Sequence, residues 1–128
     1  MMKNCLVFIS VVFASCAGHV TGNLQIDGEP FAATTCRSGQ LSGFSGVELA
    51  DDHGRRLRLA QNFDGTFAGA YFPPSSRTGD NLGSCGTLNV QPETLVVNGV
   101  HPVDGSVMLA CKTEKHQLSG RGWFENCH

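Results

Sequence analysis

Turn signals cut this chain into pieces too short for helices. Asp27-Gly28, Asp51-Asp52-His53-Gly54, Asp64-Gly65, Asn98-Gly99 and Asp104-Gly105 recur along it. Each sets Asp or Asn, which tolerate left-handed backbone, one to three residues ahead of a glycine. Between these points apolar and polar residues alternate, as in Leu24 and Ile26, Val47 and Leu49, and Leu57 and Leu59. A period of two places such residues on one face of a strand. Phe63 and Phe67 flank Asp64-Gly65, which suits a hairpin. Beyond the first residues, no window of 11 carries the i, i+3, i+4, i+7 apolar pattern of an amphipathic helix.

The expected fold is all-β, an antiparallel sandwich or small barrel of about eight or nine short strands. Further strands are expected at Phe31 to Cys36, Thr66 to Phe72, Thr87 to Val90, Thr94 to Val97, Ser106 to Cys111 and Leu118 to Cys127. Ser75 to Ser84 is the longest polar stretch and reads as a surface loop. Glycine is frequent but aperiodic, and no repeat of solenoid length is present.

Cysteine usage constrains the compartment. Setting aside Cys5 and Cys16, the chain keeps Cys36, Cys85, Cys111 and Cys127, with no C-x-x-C spacing that would suit zinc. Four cysteines in a small exported domain read as two disulfides. They allow three pairings. A turn at Lys112 to Gln117 would set Cys111 opposite residues near Leu118, several positions from Cys127, which argues against Cys111–Cys127. The sequence does not decide between the remaining pairings. The one adopted here is Cys36–Cys127 with Cys85–Cys111.

The first 17 residues read differently from the rest. Lys3 precedes an apolar run from Cys5 to Ala14, broken only by Ser10. That is the layout of a secretory signal, and it is shorter than the about 20 residues that cross a bilayer. Phe13-Ala14-Ser15-Cys16 resembles the lipobox of bacterial lipoproteins, in which small residues precede an acylated cysteine, although leucine is usual where Phe13 stands. The resemblance implies that residues 1 to 15 are a signal peptide and that Cys16 becomes the lipidated N-terminus. Residues 16 to 23 would then be a short tether and residues 24 to 128 the β domain. A multiply acylated cysteine stays in the membrane where a single chain would not. Ala17, standing where aspartate marks inner-membrane retention in the Gram-negative family, implies the outer membrane in such a host. Cleavage after Ala17 or Gly22, giving a secreted or periplasmic protein, is the alternative.

Removing residues 1 to 15 leaves 113, enough for one domain with its own core. Eight Lys and Arg then face eleven Asp and Glu, a net charge of about −3. That balance argues against nucleic acid as a partner. No G-x-S-x-G, G-x-G-x-x-G, G-x-x-x-x-G-K or calcium-loop spacing occurs, so no cofactor or metal is expected. His53 beside Asp51 and Asp52 reads as turn chemistry. His101, His116 and His128 lie near cysteines expected to be oxidised, which leaves no thiolate for a metal.

Trp123 and Phe124 adjoin, as do Tyr71 and Phe72. Neighbours in a strand point to opposite faces, so one of each pair is expected at the surface. Those two pairs, with the loop from Pro73 to Gly83, form the expected contact surface. Ile26-Asp27-Gly28, Cys36 and Cys127 are similar to features of small mycobacterial lipoprotein antigens, which are β-rich, while Cys85 and Cys111 depart from that pattern. The expected function is a lipid-anchored, non-enzymatic envelope protein that binds a protein or envelope component. One alternative is an inhibitor of a cell-wall hydrolase such as lysozyme. In that family an inhibitory loop carries serine and glycine before a tyrosine, whereas Ser119-Gly120 here is followed by none. Another alternative is a secreted hydrolase with His53 or His101 as base.

Overall fold

A computed structural model describes residues 18–97 and 99–128. The signal segment, the lipobox-like Cys16 and Asn98 lie outside the described residues. The strands, in chain order, are β1 (His19–Gly22), β2 (Gln25–Ile26), β3 (Glu29–Pro30), β4 (Ala33–Ser38), β5 (Ser45–Asp51), β6 (Arg56–Gln61), β7 (Phe67–Phe72), β8 (Asp80–Gly83), β9 (Gly86–Pro92), β10 (Val103–Lys112) and β11 (Gln117–Cys127). They form two antiparallel sheets packed face to face. The first sheet runs β3-β2-β11-β10-β9, with β1 also on β11, and the second runs β4-β5-β6-β7-β8.

The second sheet is a plain meander whose inner face follows the alternation in the sequence. Val47 lies opposite Leu59, and Leu49 opposite Leu57, which in turn faces Tyr71. Val47, Leu49, Leu57 and Leu59 are fully buried. Beside Leu59 stands Gly69, where a Cβ would come within 2.5 Å of the Phe67 ring. The first sheet answers with Ile26, Leu88, Val107, Leu109, Leu118 and Phe124. Removing such apolar surface from water is the main stabilising term of a fold like this.

One edge of β11 serves two partners. Leu118 and Ser119 pair with β2, and Gly122 to Glu125 pair with β1. The change of partner falls at Gly120, whose φ is +106°, and a Cβ there would lie 2.3 Å from the Asn23 carbonyl oxygen. Only glycine fits that backbone and that approach.

The disulfides are Cys36–Cys127 and Cys85–Cys111, each with Cα atoms 5.0 Å apart. Cys36–Cys127 joins β4 of one sheet to β11 of the other. Cys85–Cys111 ties the corner between β8 and β9 to the end of β10. These are the pairs adopted from the sequence, and Cys111 does face Leu118 across the last hairpin.

Four local expectations are corrected. The stretch taken as a tether contains β1, because His19 to Gly22 complete the ladder that β11 would otherwise leave open. The Ser75 to Ser84 loop contains β8, an edge strand whose polar Asp80 and Asn81 disguise a single inward residue, Leu82. Thr94 to Val97 is not a strand. Val97 and Val100 form an isolated bridge, exchanging hydrogen bonds of 2.8 and 3.0 Å around Asn98-Gly99. Asp104-Gly105, read as a turn signal, marks instead an irregularity within β10 where the pairing with β11 shifts between Val103 and Gly105.

Candidate functional site

The outer face of the first sheet carries side chains from four separate stretches of chain. Trp123 on β11 stands between Thr21 on β1 and Ser106 on β10, and Ser106 faces Asn89 on β9. The next row is Arg121, Met108 and Thr87. Trp123 is 47% exposed and Met108 44%, on a face that is otherwise polar. Adjoining the indole is a groove of 540 Å³, bordered by His19, Gln91, Asp104 and Glu125 and floored by Gly105 and Phe124. A second hollow of 200 Å³ also adjoins Trp123, towards Met108 and Arg121, and shares Asn89 and Ser106 with the first. The larger volume falls within the about 300–1,000 Å³ of small-molecule sites.

The groove's floor depends on the absence of a side chain. A Cβ at Gly105 would lie 1.9 Å from the Asn89 carbonyl oxygen and 2.9 Å from the Phe124 ring. Asp104 Oδ1 accepts a hydrogen bond from the Asn126 amide at 2.8 Å, which fixes the irregular segment against β11. Glu125 Oε2 is shielded from water and has no hydrogen-bond partner among the described residues.

The four aromatic residues singled out from the sequence do not form one surface. Trp123 is exposed and Phe124 buried, as alternation requires. Tyr71 and Phe72 lie on the other sheet, and both are buried. Tyr71 points into the core, where burial pushes its hydroxyl pKa above the ordinary tyrosine value. Phe72 points outward but is covered. Arg56 and Arg58 lie over its ring at 4.5 and 5.3 Å from the centroid, and both reach Glu48. Guanidinium groups stacked on the ring attract it through its π face and shield it from water. The expected contact surface therefore reduces to the Trp123 side, and the Pro73 to Gly83 loop is not next to it.

None of His53, His101 and His128 lines the groove, whereas His19 borders it. His53 is 80% exposed at a turn tip, while Asp51 beside it is 2% exposed and holds Arg55 Nε at 2.7 Å. Burial raises the Asp51 carboxyl, and hydrogen bonds from the Arg55 side chain and from the Arg55 and His53 amides more than offset it, leaving the pKa below the usual value. His101 Nδ1 contacts the Glu93 and Leu95 carbonyl oxygens. His128 Nδ1 contacts the Asn126 carbonyl oxygen.

One grouping was not legible in the sequence, because its members are 89 residues apart: His116 Nδ1 meets Asp27 Oδ2 at 2.9 Å. The His116 ring packs edge-on against Tyr71 with centroids 4.7 Å apart. The hydrogen bond from His116, with a second from the Gln117 amide, lowers the Asp27 carboxyl. The nearby Thr113 hydroxyl donates to Asp80 Oδ2 at 2.6 Å, so it is already engaged. The cluster ties the β2–β3 turn to the β10–β11 turn. No group of three or more His, Cys, Asp or Glu side chains suited to a metal occurs among the described residues. No helix among them is long and apolar enough to cross a membrane.

No family model, curated protein or solved structure matches this chain.

Proposed function

We propose that this chain is an exported, acyl-anchored, non-enzymatic binding module of the cell envelope, with the outer face of the first sheet around Trp123 as its ligand face. The observation that carries the reading is Trp123 itself, a half-exposed indole seated between two hollows on a polar sheet face. Large exposed aromatic side chains among polar groups are what recognition surfaces use, and they cost solubility where they serve nothing. The two disulfides fit an oxidising compartment outside the cytoplasm. The lipobox-like Phe13-Ala14-Ser15-Cys16 supports the anchor. With β1 beginning at His19, the acylated residue would be separated from the sheet by only two residues, holding the domain against its own membrane.

The hydrolase-inhibitor alternative finds less support. Ser119 lies within β11 between Gln25 and Ala110, not on a protruding loop that could enter an active site.

Photo-crosslinking tests the ligand face. A photoreactive residue at position 108, beside Trp123, is expected to give adducts of raised mass in intact cells. One at position 68, in the second sheet, is expected to give none. Equal labelling from both positions, or none from position 108, would contradict the assignment.

A further inference from the structure

We infer that the ligand of the Trp123 face is a neutral or N-acetylated saccharide chain, an inference that rests on the binding-face reading above. A pyranose ring presents two kinds of surface. Its C–H face is apolar and flat, and its rim is a ring of hydroxyls that each donate and accept hydrogen bonds. The Trp123 face offers the complement of both. The indole supplies a broad apolar plane with a polarised π face, and Thr21, Ser106, Asn89 and Gln91 stand around it. Hydroxyl and amide side chains both donate and accept, so they match a hydroxyl rim in any rotamer of the sugar.

Other ligand classes fit less well. A protein partner with a hydrophobic anchor needs a desolvated apolar pocket to fill. Here the groove beside the indole combines apolar surface, with the buried Phe124 in its floor, and the polar side chains of Thr21, Ser106, Asn89 and Gln91, which a purely apolar anchor would leave unpaired. Asp104 and Glu125 at its border oppose phosphate and uronate groups in the larger hollow, while the exposed Arg121 lies at the second.

The layout suits a chain more than a single ring. Two hollows adjoin the indole and share Asn89 and Ser106, so sugar units can occupy both while one stacks on Trp123. The platform is rigid, because β11 is paired along both edges and its end is fixed by Cys36–Cys127. A site built on paired strands loses little freedom on binding.

Trp123 is the only tryptophan in the chain, so intrinsic emission reports this site alone. The whole protein, purified in detergent, would be titrated with an N-acetylglucosamine tetramer, cellotetraose and a galacturonic acid tetramer. A saturable change in emission with at least one of the first two, and none with the third, is the expected result. Calorimetry with the responding sugar is expected to show at least tenfold weaker binding for Trp123→Ala and severalfold weaker binding for Asn89→Ala. Trp123→Tyr should retain most of the affinity, and unchanged urea midpoints would confirm that the variants fold. No saturable response to either uncharged tetramer at about 10 mM, above even a weak Kd of about 1 mM, would overturn the inference. So would preference for the galacturonate chain. Crosslinks from position 108 in cells that give no oligosaccharide binding would sink the saccharide and leave the face standing. Absence of those crosslinks would sink the face as well.

Discussion

Trp123 and Phe124 are consecutive in β11, yet 47% of one is exposed and 3% of the other. The strand pleat sends Phe124 between the sheets and leaves Trp123 outside, flanked by Thr21 and Ser106. The same two residues therefore separate stability from binding. Phe124→Ala is expected to cost about 3–5 kcal/mol through lost burial and a cavity. Trp123→Ala should change stability by only about 0.5 kcal/mol, as exposed positions do. Urea denaturation of the oxidised protein checks this, and comparable losses in the two variants would contradict the assignment of faces.

The disulfides should differ in worth. Cys36 and Cys127 are 91 residues apart in sequence, Cys85 and Cys111 only 26. In the chain-entropy account, removing each singly by Cys→Ala pairs costs about 4.6 and about 3.5 kcal/mol respectively. The longer link also joins the two sheets, so its loss should free β4 and β1 together. Unfolding curves of the two double variants check the order, and a larger loss from the Cys85–Cys111 pair would contradict it.

Acid should weaken the turn between β5 and β6. Asp51 has a folded pKa below its ordinary value, so its contribution is complete above the unfolded carboxylate value of about 3.9. It is lost as pH falls through the folded value. Asp27 acts in the same direction but is half exposed, so its share is smaller. Asp51→Asn is expected to flatten the fall in stability below about pH 4. Asp51→Ala, which strands a nearly buried Arg55, should cost about 3 kcal/mol at neutral pH. An unaltered acid limb in Asp51→Asn would show that the pair contributes nothing.

Much of this architecture could be read from residue order. Val47, Leu49, Leu57 and Leu59 alternate cleanly, and the turns at Asp51 to Gly54 and Asp64-Gly65 join the strands they were expected to join. What stayed hidden depends on pairing between distant segments. His19 to Gly22 has one partly buried apolar residue, Val20, and becomes a strand only because β11 offers an edge. Phe72 is covered by arginines whose position follows from the β6–β7 register. The Trp123 face draws on β1, β9, β10 and β11, and no local pattern announces that those four stretches meet.

The account as a whole is tested most directly by the intact mass of the protein extracted from membranes. Acyl groups on a chain that starts at Cys16, with four thiol hydrogens missing through the Cys36–Cys127 and Cys85–Cys111 bonds, is the expected result. A chain that still begins at Met1, carries no acyl group and has all its thiols reduced would contradict it.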